Sequence, residues 1–129
     1  MEKRMNKEEI INLIETIEID SEEFWILSSA SLVIRGLFPD AGDLDIAVTE
    51  KGLEQLKQKY EIKSKGNGKY EINDKIECIV DKKEEWKIEK CGKYNLVSLE
   101  KYLEFLKSSN REKDKIRYEI VLKALKMNK

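Results

Sequence analysis

LSSASLVIRGLFPDAGDLDIAV, Leu27 to Val48, is the least polar stretch of a chain in which 40% of the residues are charged. It ends with Asp43 and Asp45, one residue apart in what otherwise reads as a core strand. Asp43 to Thr49 alternates strictly, with Leu44, Ile46 and Val48 on one face and Asp43, Asp45 and Ala47 on the other. The aspartates therefore face a cleft or water, away from the core. At the other end, FWIL (Phe24 to Leu27) is a short apolar strand, and Ser28-Ser29-Ala30-Ser31 turns it into a helix carrying Leu32, Val33, Ile34 and Leu37. That helix stops at Gly36, before Pro39.

Outward from this stretch the punctuation is regular. Asn6 followed by Glu9 marks a capped helix start, with Ile10, Leu13, Ile14 and Ile17 on one face. Thr49 caps a helix with Leu53, Leu56 and Tyr60 as its buried stripe. Tyr60 to Ser64 and Lys69 to Ile72 flank Gly66-Asn67-Gly68 as a hairpin. Lys75 to Asp81 alternates again, Ile76, Cys78 and Val80 against Glu77 and Ile79. The segment around Trp86 is ambiguous. Asn95 to Val97 reads as a last short strand, Ser98 caps a helix with Leu99, Tyr102, Leu103 and Leu106, and Asn110 starts a final helix that turns Ile116, Ile120, Val121, Ala124 and Leu125 inward. The order α-β-α-β-α-β-β-β-α-α, with the short strand Asn95 to Val97 ahead of the last two helices, gives an α/β (α+β) fold, a mixed sheet with helices packed on one face. We expect one domain over residues 1–129 with a helical C-terminal part, 98–127.

Composition removes several classes of function. Twenty-five basic residues against 26 acidic leave a net charge of −1, which takes away the main electrostatic argument for a dedicated nucleic-acid binder. No apolar run reaches the roughly 20 residues of a membrane span, and MEKRMNKEE lacks a signal-peptide apolar region. The expected location is cytoplasmic, with no membrane partner. Cys78 and Cys91 are too few for a disulfide scaffold or zinc site. With no histidine in the chain, Ser-His-Asp and Cys-His hydrolases are excluded. Arg35 is expected to be a solvated or sheet-edge residue rather than a phosphate ligand, and Trp25 and Trp86 to anchor the core.

The remaining chemistry is carboxylate chemistry. Asp43 and Asp45, at i, i+2 on one strand face, can approach a common ion, and Glu77 lies on another strand on the polar face. Mg²⁺ takes oxygen ligands, commonly one or two carboxylates plus substrate phosphates. The small-residue turn before a helix N-terminus lets backbone N–H groups approach a phosphate.

Phe24 to Val48 resembles the nucleotidyltransferase superfamily, the fold shared by polymerase β-like enzymes and small antibiotic and toxin–antitoxin nucleotidyltransferases. Its pattern is a strand, Gly-Ser or Gly-Gly, a helix, then Asp-hydrophobic-Asp-hydrophobic and a later third carboxylate. This chain supplies Ser28-Ser29, Asp43-Leu44-Asp45-Ile46 and, third, Glu77, ahead of Asp74 and Asp81. Lys107, Arg111, Lys113 and Asp114, spaced Lys-x-x-x-Arg-x-Lys-Asp, are similar to a motif of abortive-infection-type nucleotidyltransferase toxins, whose lysine and aspartate line the nucleotide side. The resemblance implies Asp43, Asp45 and Glu77 as catalytic metal ligands for Mg²⁺ or Mn²⁺, and Ser28, Ser29, Lys107 and Asp114 as substrate-binding residues. It implies transfer of a nucleoside monophosphate from a nucleoside triphosphate to an acceptor that the sequence leaves open among protein, RNA and small molecule. Ser28 stands where the family has its first glycine, the residue that permits a positive φ and close backbone approach. That departure keeps an alternative alongside: a catalytically degenerate binding or antitoxin-like module, as a homodimer or with a partner protein.

Overall fold

Local signals place most elements of the computed structural model, which describes residues 4–127. The ends of the expected 1–129 domain lie outside the described residues. Asn6 and Glu9 close a reciprocal capping box on α1 (Lys7–Glu15): Glu9 N–H donates to Asn6 Oδ1 at 2.9 Å and Asn6 N–H to Glu9 Oε1 at 3.2 Å. Such a box satisfies two N–H groups that the first helical turn leaves unbonded. The apolar strand β1 (Phe24–Ile26) feeds α2 (Ser28–Ile34). At its far end Gly36, with φ +79°, lets Leu37 N–H reach Leu32 O and Gly36 N–H reach Val33 O, a Schellman stop.

β2 (Leu44–Val48) follows, then α3 (Glu50–Lys59), whose cap Thr49 accepts from Gly52 N–H at 3.1 Å. Gly52 is required there for space: a Cβ would stand 2.7 Å from Glu23 O. β3 (Lys63–Gly66) and β4 (Lys69–Glu71) form the hairpin, turning through Asn67 and Gly68 with φ of +56° and +76°. β5 (Ile76–Val80), β6 (Ile88–Cys91) and β7 (Tyr94–Val97) complete the strands, and α4 (Leu99–Ser108) and α5 (Glu112–Met127) the helices. β6 is the strand that periodicity did not reveal. In Ile88–Cys91 only Ile88 and Cys91 are apolar, and it is held by pairing with β7 across the Gly92 turn.

The sheet is mixed, in the order β3-β4-β5-β2-β1-β7-β6. β2 runs antiparallel to β1 and parallel to β5, with Asp45 opposite Glu77 and Ala47 opposite Ile79. Opposed residues share a face, so the sheet has two unlike sides. One buries Phe24, Ile26, Leu44, Ile46, Val48, Ile76, Cys78 and Leu96 against the apolar faces of α1, α2 and α3. Each such aliphatic side chain contributes about 1.5–3 kcal/mol. The other side carries Trp25, Asp45, Ala47, Glu77 and Ile79. There α4 and α5 gather Leu32, Val97, Tyr102, Leu106 and Val121 into a second cluster, leaving the β2–β5 part open.

One expectation about an individual residue is corrected. Ile116 does not pack inward; it is 62% exposed, because the inner face of the first turns of α5 is taken by Asp114 and Arg117, in register with Val121. Of the two expectations for Arg35 the sheet-edge one fits: at the end of α2 its side chain is 12% exposed, and Nη2 donates to Glu89 Oε1 on the edge strand β6 and to Val97 O of β7. Trp25 is fully buried, edge-on to Trp86 at 5.7 Å, and Cys78 lies in the core. No described helix is long and apolar enough to cross a membrane.

Candidate functional site

The open part of the second sheet face is a cleft of about 560 Å³. Asp45 and Glu77 lie in its floor beside Ser28 and Val97 of β7, Trp86 stands over the sheet, and α4 closes one wall with Lys101, Tyr102 and Phe105. The fold places these groups by register alone. Parallel pairing of β2 and β5 sets Asp45 directly beside Glu77, at a strand spacing of about 4.8 Å. On the other side of β2, Leu27 N–H donates to Asp45 O at 2.9 Å, which carries the ladder to the residue before Ser28. The small-residue turn and the acidic strand are therefore neighbours.

The carboxylates feel one another. Asp45 is half-buried and its carboxyl is pushed up to about 6, first by burial, then by the charges of Asp43 and Glu77; Arg117 and Lys113 offset part of this. Among the described residues no side chain donates a hydrogen bond to Asp45. Asp43 is half-buried just before β2 begins. Glu77 accepts from Lys65 Nζ at 2.8 Å. Among the described residues no three acidic or sulfur side chains meet closely enough to hold a metal ion as they stand.

Ser28 has φ +55°, a left-handed conformation that favours glycine. A serine thus keeps a glycine-shaped turn. Its carbonyl accepts from Ser31 Oγ at 2.6 Å. Ser29 is buried, and the N–H groups that open the short helix have no intrahelical partners.

No protein-family model, curated protein or solved structure matches the chain.

The C-terminal motif lies differently from the carboxylate row. Asp114 is 1% exposed and accepts from Ser109 Oγ at 2.6 Å, Arg111 Nε at 2.8 Å and Arg117 Nη1 at 3.2 Å. Burial pushes its carboxyl up, but these donors and the arginine charges outweigh it and the net direction is down. Lys107 is exposed in the last turn of α4 and lines no part of the cleft. Asp81 is spent on Trp86, whose Nε1–H donates to it at 2.8 Å, and Asp74 is exposed in a turn.

Several site residues escaped sequence reasoning. Lys69 and Lys101 line the cleft, and Lys101 Nζ lies 5.5 Å from the centre of the Trp86 ring. Arg117, buried beside Phe38 and near enough to Asp45 to act on its charge, had no motif to mark it. Tyr102, whose hydroxyl is buried and pushed up to about 12 by burial, read as one more core position.

Proposed function

We propose that the cleft binds a nucleoside triphosphate with a divalent cation and that the protein is a metal-dependent nucleotidyltransferase-like protein, passing a nucleoside monophosphate to an acceptor hydroxyl. The observation that carries this reading is the register that sets Asp45 beside Glu77 on one face, next to the Ser28 turn in one cleft. The donor set is all carboxylate oxygen, which suits Mg²⁺ or Mn²⁺, and two carboxylates plus ligand phosphates suffice for Mg²⁺. Burial raises the Asp45 carboxyl first and the charges of Asp43 and Glu77 add to it, and that repulsion favours a cation there. Asp43 and Asp45 would hold the ion, which supplies charge neutralisation for the phosphates.

The chain's own residues account for the remaining roles. The Ser28–Ala30 backbone faces the phosphates, and Lys69 and Lys101 add positive charge along the walls. The acceptor oxygen attacks the α-phosphorus, the bond to the β-phosphate bridge breaks, and pyrophosphate leaves. Glu77, once free of Lys65, completes the metal set or takes the hydroxyl proton. A labelled-nucleotide transfer assay over protein, RNA and small-molecule acceptors tests the reading: transfer by the parent and none by Asp45→Ala supports it, and no transfer to any acceptor sinks the catalytic claim.

A second reading, binding without turnover, is favoured by the saturated Asp114 and by the absence, among the described residues, of a converged carboxylate trio. Calorimetry with ATP and Mg²⁺ separates the two: heat of binding without transfer supports the module.

A further inference from the structure

Lys65 belongs to an edge strand, yet its side chain reaches the carboxylate row. β3 pairs with β4 through Lys63 opposite Glu71 and Ser64 opposite Tyr70, then resumes at Gly66 opposite Lys69, so Lys65 is the extra residue of a bulge. Glu71 in turn opposes Glu77, and Glu77 opposes Asp45, which makes one row of side chains across four strands. A bulge re-aims a side chain and bends the strand that carries it. Here the ammonium of Lys65 ends 2.8 Å from Glu77 Oε1.

The consequence is electrostatic. Two metal ions in a phosphoryl-transfer site stand about 3.5–4 Å apart, so a second ion bound by Glu77 would meet the Lys65 ammonium already on its ligand oxygen. Lysine is a compact, strongly hydrated point charge with three donors, well suited to stand in for a small cation. The charges of Glu71 and Asp45 add to the hold of Glu77 on the Lys65 proton.

We propose that Lys65 is a built-in cation at Glu77, filling the place of a second metal ion, so that this cleft takes one divalent ion, at Asp43 and Asp45, rather than two. The inference rests on the reading of those aspartates as metal ligands. It also gives Glu77 a defined resting partner, released only when Lys65 swings away.

Mn²⁺ alone, titrated into the full chain by calorimetry and followed by electron paramagnetic resonance, tests this without any nucleotide or activity. The parent chain binds one ion. Lys65→Met, which keeps the stem and drops the charge, gains a second ion or about a tenfold tighter affinity, and adding Glu77→Gln to it removes the gain. Lys63→Met, in the same row opposite Glu71, measures the general effect of losing one nearby charge. Equal responses of Lys65→Met and Lys63→Met, or none in Lys65→Met, overturn the proposal while the aspartate site stands. If neither the parent nor Lys65→Met binds Mn²⁺, the aspartate site falls and the proposal with it. Both lysines are exposed on an edge strand, and circular dichroism is expected to be unchanged in every variant.

Discussion

Asp45, half-buried in the cleft, and Asp114, fully buried, both lie near arginines, and their carboxyls shift in opposite directions. Asp114 accepts hydrogen bonds from Ser109, Arg111 and Arg117, and the net shift is downward despite burial. Asp45 is partly buried with no side-chain donor among the described residues and faces the charges of Asp43 and Glu77, and its carboxyl rises to about 6. Directed donors make a buried carboxylate a structural joint, here between α4 and α5. Burial without donors leaves one that gains from a proton or a cation. The resemblance put both residues in one nucleotide site; their environments separate them.

The largest expected effect breaks the joint. Asp114→Ala leaves Arg117 buried without its partner, and we expect a loss of about 3 kcal/mol in urea unfolding. A loss below about 1 kcal/mol, the range of an exposed pair, would put Asp114 back among ligand-binding residues.

Asp45→Asn is expected to act in the opposite sense. The folded chain holds the Asp45 proton near pH 6, against 3.8 for an ordinary aspartate. Between those values the folded state binds more protons than the unfolded one, so stability falls as pH rises through the window. Removing the charge should stabilise the protein by roughly 1–3 kcal/mol at pH 7, with the gain gone below about pH 4. Unfolding curves at the two pH values check the sign, and a gain that persists in acid contradicts an origin in the buried charge.

Ser28→Gly comes next. Relief of the left-handed backbone, less the extra freedom of glycine in the unfolded chain, should stabilise by about 0.5–1 kcal/mol, whereas Ser28→Ala gives no such relief. Urea unfolding of the two variants side by side checks it. The smallest effect is that of Lys65→Met on folding. Its ion pair with Glu77 is exposed at both ends, so the unfolding midpoint should not move measurably, in contrast to its effect on Mn²⁺.

Much of this arrangement can be read from the chain because it is local. The alternation at Leu44–Val48 and Ile76–Val80, the Asn6–Glu9 box and the Thr49 and Ser98 caps need only neighbours a few residues apart. Even the shared polarity of Asp45 and Glu77 is visible there; their adjacency is not, since it depends on a parallel pairing between separate strands. β6 is hidden because its pairing with β7, rather than its own periodicity, defines it. Ile116 faces out and Arg117 in because an ion cluster, not an apolar stripe, decides which side of α5 faces in. Lys65 depends on a bulge, which no composition rule locates.

Both outer strands of the sheet are short and rich in lysine: β3 carries Lys63 and Lys65, and β6 carries Lys90 after Lys87. Exposed edges invite another chain to add a strand, and charge, short length and bulges discourage it. The irregularity at Lys65 therefore has a second consequence. It interrupts the free hydrogen-bonding rim of the sheet with a cation, so the residue that reaches inward to Glu77 also guards the molecule against edge-to-edge aggregation.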